Sequence, residues 1–266
     1  SHDSFPGVIV HTEQTNESSG SAYGLHLGWS GNHHVRVEEQ FTGQAYAQLG
    51  ELFLPGEMLL EPGQAYKSPV LFGASTDKGL STLSGSFHRH VRAKLTDKRI
   101  TNKIRPVHFN TWEAVYFDLS LERLCTLAEH AREVGAERFV LDDGWFKNRK
   151  SDNAGLGDWT VDKTIFPAGL APLINHVYKN DMEFGLWVEP EMVNPDSDLY
   201  RAHPDWILNT QPAPLLSARN QLVLDLTRVE VQNYVFKRLD ALLSEYPISY
   251  LKWDMNRAIH QPGDQN

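Results

Sequence analysis

Residues 107–113 read Val-His-Phe-Asn-Thr-Trp-Glu, and this stretch decides between two classes of α/β fold. It follows Pro106 and contains the first predicted strand of the C-terminal region, near Val107–Asn110. A doubly wound open sheet normally carries a glycine-rich phosphate loop directly after that strand. Here positions 110–113 hold Asn-Thr-Trp-Glu instead of a G-x-G-x-x-G pattern. The stretch therefore favours a (β/α)8 barrel over the open sheet.

Strands and helices alternate along the rest of the chain. The longest predicted helix spans Val229–Glu245, with Thr227 and Glu230 as a capping box at its start and Pro247 as its stop. This alternation indicates a parallel sheet. A complete barrel takes about 250 residues, so four strand and helix units predict its first half. The further strands are predicted near Phe139–Asp142, Phe184–Glu189 and Tyr250–Asp254.

The N-terminal region has a different pattern. From Tyr23 to Phe72, short alternating or aromatic runs are broken by turn residues at intervals typical of hairpins, which predicts antiparallel β structure. A helical stretch follows at Leu80–Leu95, and then a polar connector at Thr96–Arg99. The predicted parts are a β region with a trailing helix (1–95), a linker (96–105) and a half barrel (106–266).

Composition excludes several classes of partner. The chain has 266 residues, 41% of them hydrophobic, which is enough to bury a core in one or two domains. Its net charge of -9 is spread without a run of lysine or arginine, so no nucleic acid partner is expected. No apolar segment approaches the roughly 18 to 20 residues of a membrane span, and Ser1–Ser4 lacks the features of a signal peptide. We therefore expect a protein of the cytoplasm without a membrane partner.

The strand near the C-terminal end carries the most informative side chains. Alternation places Lys252 and Asp254 on one face of this strand. A nearby ammonium group lowers the pKa of a carboxyl, which suits a nucleophile that attacks the anomeric carbon of a sugar. A structural ion pair between the two residues is the alternative. Asn256 at the same strand end favours the functional interpretation.

Two consecutive carboxylates follow the second strand of the barrel region. Asp142 and Asp143 precede a glycine and Trp145. Their simplest explanation is a turn, because Asp and Gly favour turns for local reasons. The functional alternative is that each carboxylate accepts hydrogen bonds from sugar hydroxyls while Trp145 or Trp112 covers an apolar face of the sugar.

The third strand end carries an aromatic and an acidic residue. Period two places Trp187 and Glu189 on the same face, and Glu191 follows. Carboxylates from successive strands are able to hold Mg²⁺, but the neighbouring tryptophans favour a stacking surface, and no histidine spacing typical of metal ligands is present. We predict no metal and no cofactor. Arg219 lies in a loop before the next apolar run, where a solvated arginine is the ordinary alternative.

The second part of the chain contains five ordered motifs, which are Phe109–Glu113, Leu141–Phe146, Leu186–Met192, His203–Trp206 and Lys252–Arg257. In these motifs the chain resembles the glycoside hydrolase family 36 α-galactosidases. The residues before Leu95 are similar to the end of the β-sandwich domain of that family, including Tyr23-Gly24 and Gly28–Asn32. The resemblance therefore covers nearly the whole chain.

The resemblance implies a retaining enzyme that removes terminal α-D-galactosyl residues from oligosaccharides such as melibiose and raffinose, as a homo-oligomer when complete. By position, Asp254 is implied to be the nucleophile, Asp142 and Asp143 to hold galactose hydroxyls, and Trp112 and Trp187 to form walls of the pocket. Contacts with the sugar are likewise implied for Lys252, Arg219 and Asn256.

A retaining glycosidase also needs an acid/base carboxyl about 5 to 5.5 Å from the nucleophile. In the family this is an aspartate from a later barrel strand, after a glycine-rich motif with a cysteine, and no such motif occurs before Asn266. Glu189 and Glu191 are not nominated as substitutes. The isolated chain is therefore expected to be inactive.

Three alternatives stay open from the sequence. One is a carbohydrate-binding remnant without turnover. The other two are an α-N-acetylgalactosaminidase and a transferase resembling raffinose synthase, both of which would use the same nucleophile. Turnover of a nitrophenyl α-galactoside separates an enzyme from a remnant.

Overall fold

A computed structural model describes residues 4–54, 56–210 and 214–260 of the chain. The chain divides into two compact units, Ser1–Ile104 and Arg105–Asn266. The sequence-based boundaries at 95 and 106 remain a proposal, and the predicted linker includes a short helix, Lys98–Thr101.

The first unit is antiparallel. Its strands are β1 (Gly7–His11), β2 (Ala22–Leu27), β3 (His33–Glu39), β4 (Ala45–Glu51) and β5 (Leu71–Thr76). One sheet has the order β1-β2-β5, and β3 pairs with β4 as a hairpin. Helix α1 (Gly79–His90) follows, continues as a π-helical turn (Val91–Leu95) and precedes α2 (Lys98–Thr101). The predicted antiparallel region and its trailing helix are therefore confirmed.

The second unit alternates strands with helices, as predicted. Its elements are β6 (His108–Asn110), α3 (Trp112–Val115), α4 (Leu121–Glu133), β7 (Arg138–Leu141), α5 (Ala171–Lys179), β8 (Glu183–Val188), β9 (Met192–Val193), α6 (Asp198–Ala202), β10 (Leu222–Val223), α7 (Val229–Glu245) and β11 (Tyr250–Trp253). The four-stranded sheet has the order β11-β8-β7-β6, which follows chain order, and every neighbouring pair is parallel. Sequential parallel strands with intervening helices are the arrangement of a (β/α)8 barrel.

The core of the second unit lies between this sheet and its helices. The central strands β7 and β8 are buried over almost their whole lengths, which explains their continuous apolar sequences. Helix α7 presents its buried residues Val231, Val235, Leu239 and Leu242 at spacings of three and four, so they share one face. The parallel register holds the strand ends together and brings the loops that follow them to one edge of the sheet.

The predicted capping box at the start of α7 is wrong. The helix begins at Val229 as expected, but the hydroxyl of Thr227 donates to Asp225 Oδ1 at 2.6 Å and caps nothing. Asp225 Oδ1 also accepts from the backbone N–H of Thr227 at 3.0 Å, and this charged acceptor two residues upstream holds the hydroxyl in a local turn. Glu230 pairs with Arg228 instead.

Among the described residues, none of the helices has the length and apolar content that crossing a membrane requires.

Candidate active site

A cavity of about 200 Å³ lies at the C-terminal ends of the parallel strands. Pockets for drug-sized ligands measure about 300–1,000 Å³, so this one suits a smaller group such as a single sugar ring. All eight residues predicted from the sequence line it: Trp112, Asp142, Asp143, Trp187, Arg219, Lys252, Asp254 and Asn256. The four further lining residues, which were not predicted as site residues, are Arg149, Asp152, Glu189 and Gln221.

Asp254 follows β11 and is held by hydrogen bonds on both carboxylate oxygens. Its Oδ2 accepts from Trp187 Nε1 at 2.9 Å and from Asn256 Nδ2 at 2.7 Å, and its Oδ1 accepts from the backbone N–H of Met255 at 3.0 Å. Burial acts to raise the pKa of Asp254, but these hydrogen bonds, with a smaller contribution from the charge of Lys252, hold it below the ordinary value of 3.8. The carboxylate is therefore ionised at neutral pH.

Lys252 pairs with a different aspartate from the one expected. Its Nζ lies 2.7 Å from Oδ2 of Asp142, the residue that follows β7. The side chain of Asp142 is almost fully buried, and a buried carboxylate without a partner is costly, so the ammonium group goes there. The expectation that the ammonium group of Lys252 lowers the pKa of Asp254 agrees in direction, but its charge is the smallest of the influences given above.

Asp142 is fixed from three sides. Besides Lys252, its Oδ2 accepts from Asn110 Nδ2 at 2.7 Å, and its Oδ1 accepts from the backbone N–H of Asp143 at 2.9 Å. Each carboxylate oxygen has two lone pairs, so Oδ1 keeps capacity for a ligand hydroxyl. The residue thus serves the turn and also presents an oriented acceptor to the cavity.

Asp143 forms a buried ion pair with Arg149, which the sequence did not predict. Arg149 Nε donates to Oδ1 at 2.9 Å and Nη2 donates to Oδ2 at 2.7 Å, a two-point contact between side chains that are 2% and 8% exposed. Burial raises the pKa of Asp143 above 3.8, and Arg149 opposes that rise. Because Arg149 lies in an irregular loop, no periodic pattern pointed to this contact.

The tryptophans differ in their roles. Trp145 is 0% exposed and its Nε1 donates to the backbone oxygen of Trp187 at 3.0 Å, so the interpretation that it covers a sugar is wrong. Trp112 is partly exposed beside the cavity and keeps its proposed place as a wall. Trp187 lines the cavity, is 2% exposed and donates to Asp254, a donor role that the sequence did not reveal.

We expect Trp187→Phe to raise the pKa of Asp254, because the substitution removes one of the hydrogen bonds that lower it. The measurement is a pH titration of the Asp254 carboxyl carbon by ¹³C NMR. Trp159→Phe is the matched control, since Trp159 lies in the same aromatic cluster and its Nε1 has no hydrogen-bond partner among the described residues. Equal titration midpoints in wild type and Trp187→Phe would contradict this role.

Arg219 occupies a strained turn at the cavity. Ala218 and Gln221 pair across a two-residue connection in which Arg219 and Asn220 have φ of 53° and 58°. Such a left-handed arginine costs about 1–3 kcal/mol and persists where surrounding contacts impose it. Asn194 Nδ2 supplies one contact, donating to the backbone oxygen of Asn220 at 2.7 Å.

The guanidinium of Arg219 remains available to a ligand. Within the part of the chain that the structure describes, it has neither a hydrogen bond nor an ion pair, and the residue is exposed. The alternative of a solvated loop arginine is consistent with this exposure, and the position at the cavity favours a binding role.

Across the ranges 4–54, 56–210 and 214–260, no group of three or more His, Cys, Asp and Glu residues is placed to hold a metal ion.

Comparison with known proteins gives consistent matches for both units. The sequence model of the family Melibiase matches residues 65–266, and that of the Glycosyl hydrolase family 36 N-terminal domain matches residues 1–61. An α-galactosidase of Escherichia coli is 45% identical over 265 residues, which cover 100% of this chain and 37% of the relative. The α-galactosidase Mel36A of Lactobacillus acidophilus is 39% identical, with 97% of this chain and 35% of the relative covered.

Solved structures give the same result. The family 36 α-galactosidase AgaA of Geobacillus stearothermophilus superimposes with a TM-score of 0.92 at 38% identity, covering 98% of this chain and 36% of that protein. Variants of AgaA have been solved with 1-deoxygalactonojirimycin, raffinose and stachyose. This chain thus spans little more than a third of the length of these relatives. The predicted architecture, part of an antiparallel β-sandwich followed by the first half of a (β/α)8 barrel, is confirmed.

Proposed function

The chain belongs to the melibiase family of glycoside hydrolases, and we propose that it supplies the nucleophile and most of the sugar-binding groups of a retaining α-galactosidase. The observation that carries this proposal is the carboxylate of Asp254, held by three N–H donors and ionised at the wall of a cavity of sugar size. A nucleophile of this kind must be charged and aligned before the substrate arrives.

In the proposed reaction, Asp254 attacks the anomeric carbon of a terminal α-galactosyl group and forms a glycosyl–enzyme ester while the leaving oxygen takes a proton. Water then hydrolyses the ester, and two inversions retain the configuration. The acid/base is proposed to lie outside this chain. Asp142 and Asp143 are paired with Lys252 and Arg149, which suits binding better than proton transfer.

The remaining lining groups suit a sugar ring. We propose that Asp142 and Asp143 accept hydrogen bonds from galactose hydroxyls, since their carboxylate oxygens keep free acceptor capacity. Arg219 is proposed to donate to the sugar, because its guanidinium has no partner among the described residues. Trp112 and Trp187 are proposed to bound the apolar faces of the ring. The cavity of about 200 Å³ is proposed to hold one hexose rather than a longer chain, which suits removal of a terminal residue.

The substrates proposed are oligosaccharides with terminal α-D-galactosyl residues, such as melibiose and raffinose. The crystal structures of AgaA variants in complex with raffinose and stachyose support this class of substrate. The complete enzyme is further proposed to be a homo-oligomer of the cytoplasm, with neither nucleic acid nor a membrane as partner. The net charge of -9 supports the exclusion of nucleic acid.

A hybrid enzyme tests the proposal. In this hybrid, the chain replaces the aligned part of the Escherichia coli α-galactosidase, whose remaining sequence completes the fold. We expect turnover of nitrophenyl α-galactoside, and no turnover of the β-galactoside or of the α-N-acetylgalactosaminide. A folded hybrid that binds 1-deoxygalactonojirimycin without turnover would instead indicate a binding remnant, and preference for the acetylated sugar would indicate the other hydrolase.

In the same hybrid, Asp142→Asn should weaken inhibition by 1-deoxygalactonojirimycin by roughly 10- to 150-fold, because a hydrogen bond to a charged group contributes about 1.5–3 kcal/mol. Inhibition constants with nitrophenyl α-galactoside provide the measurement. Asp118→Asn is the control, since the side chain of Asp118 is 84% exposed. Unchanged inhibition together with a native circular dichroism spectrum would remove Asp142 from the sugar site.

A further inference from the structure

Glu189 is a buried carboxylate without a task in the reaction described above. It follows β8, is 0% exposed and lines the same cavity as Asp254. A buried charge needs compensating hydrogen bonds, and a carboxylate in that condition beside a nucleophile requires an explanation. Its two oxygens contact two different loops. One of these loops contains Asp254 and the other contains Arg219.

The first contact reaches the nucleophile. Glu189 Oε1 accepts from the backbone N–H of Asn256 at 2.5 Å, and Asn256 Nδ2 in turn donates to Asp254 Oδ2 at 2.7 Å. Residues 254–257 lie beyond the end of β11, and among the described residues no sheet hydrogen bond reaches the backbone N–H of Asn256. Glu189 is therefore the group that fixes this N–H and, through it, places the side-chain amide against the nucleophile.

The second contact reaches the turn that carries Arg219. Glu189 Oε2 accepts from Gln221 Nε2 at 3.0 Å. The backbone N–H of Gln221 closes that turn by donating to the oxygen of Ala218 at 3.0 Å, and its own oxygen accepts from Arg257 Nη1. The side chain of Glu189 thus lies between the loop of the nucleophile and the turn of the sugar-binding arginine.

We infer that Glu189 is a positioning residue that fixes Asn256 against the nucleophile and Gln221 at the base of the Arg219 turn, in the α-galactosidase proposed above, on which this role rests. The N–H donors from both loops stabilise its charged form, while burial raises its pKa. Removing the carboxylate removes its contact with each loop, whereas an amide in the same place keeps both contacts without the charge.

Two substitutions of Glu189 separate the hydrogen bonds of its side chain from its charge in the hybrid enzyme. In Glu189→Gln, the amide oxygen still accepts from Asn256. The new NH2 group donates to Gln221 Oε1, which has no hydrogen-bond partner among the described residues, once the Gln221 amide rotates by half a turn. We expect kcat and KM close to those of the wild-type hybrid. Glu189→Ala loses both contacts, so KM should rise about 10-fold and kcat should fall about 100-fold, which is the size of effect that a 1 Å misplacement produces.

Glu191→Gln is the matched control, because Glu191 lies two residues further along the same loop and bonds to Trp253 Nε1 rather than to Asn256 or Gln221. Its kinetic constants should equal those of the wild-type hybrid. Titration with a covalent inactivator gives the fraction of active sites, so that a loss of folded protein is not counted as a loss of kcat. Wild-type kcat and KM in Glu189→Ala would overturn the positioning role.

Hydrogen exchange in the 266-residue chain tests the same role without a substrate. The amide of Asn256 should exchange slowly in wild type, in Glu189→Gln and in Glu191→Gln, and at least 10-fold faster in Glu189→Ala. Equal protection in all four proteins would overturn the role. If the wild-type hybrid has no turnover, the proposed function fails, and the exchange rates alone still decide whether Glu189 holds Asn256.

Discussion

Asp254→Ala in the hybrid enzyme should lower kcat for nitrophenyl α-galactoside by roughly 10⁴- to 10⁶-fold, the range seen when covalent enzymes lose their nucleophile. The loss is large because the covalent route itself disappears. The three N–H groups that hold the carboxylate remain and bind water in its place. Binding of the sugar should change far less, since the groups proposed to hold its hydroxyls are intact.

Asp240→Asn is the control for this substitution, because Asp240 is exposed on α7 and does not line the cavity. Azide should partly restore turnover of Asp254→Ala by attacking from the vacated space, and the product should be a galactosyl azide of inverted configuration. Turnover of Asp254→Ala within 10-fold of wild type would remove it as the nucleophile.

Arg149→Met should destabilise the second unit by about 3–5 kcal/mol, the usual consequence of breaking a buried ion pair from one side. The substitution leaves Asp143 buried without its two-point partner. It also removes donors to Asn194 Oδ1 and to the backbone oxygen of Ala154. Asn194 supports the Arg219 turn, so ligand binding should weaken along with stability.

This effect should depend on pH with a defined sign. Burial already raises the pKa of Asp143 above 3.8 in the folded state, and removal of Arg149 raises it further. A raised pKa means that stability is fully present below the unfolded value and is lost as the pH rises through the folded value. Arg149→Met should therefore be more destabilising at pH 7 than at pH 4.

Urea unfolding followed by tryptophan fluorescence measures this loss, because six of the seven tryptophans lie in the second unit. Arg123→Met is the control, since its partner Asp118 is 84% exposed and an exposed pair contributes only about 0–1 kcal/mol. A free energy of unfolding for Arg149→Met equal to that of Arg123→Met at pH 7 would contradict the account of Asp143.

The strands and the longest helix were predictable because each has a local pattern of apolar residues in the sequence. Buried parallel strands read as short apolar runs, and α7 repeats its apolar residues at helical spacing from Val229 to Glu245. The positions of the site residues followed as well. In a barrel the loops after the strands share one face, so Asp142 and Asp254 were expected to meet although 112 positions separate them (254 − 142).

The partners of the side chains were not predictable in the same way. Lys252 and Asp254 share a face by alternation, but the choice of Asp142 as the partner of Lys252 depends on which carboxylate is more deeply buried. The donor role of Trp187 requires the register between β8 and β11, which pairs Trp187 with Lys252. Arg149 and Gln221 come from irregular segments, where the spacing of residues does not indicate which way a side chain points.

The central claim is that Asp254 becomes covalently attached to the sugar. The most direct measurement is mass spectrometry of peptides from the wild-type hybrid after trapping with a fluorinated galactosyl donor, whose leaving group needs little protonation. The account predicts one added galactosyl group, on Asp254, in the peptide that contains Lys252 and Asn256. A label on Glu189, Glu191 or any other residue would contradict it.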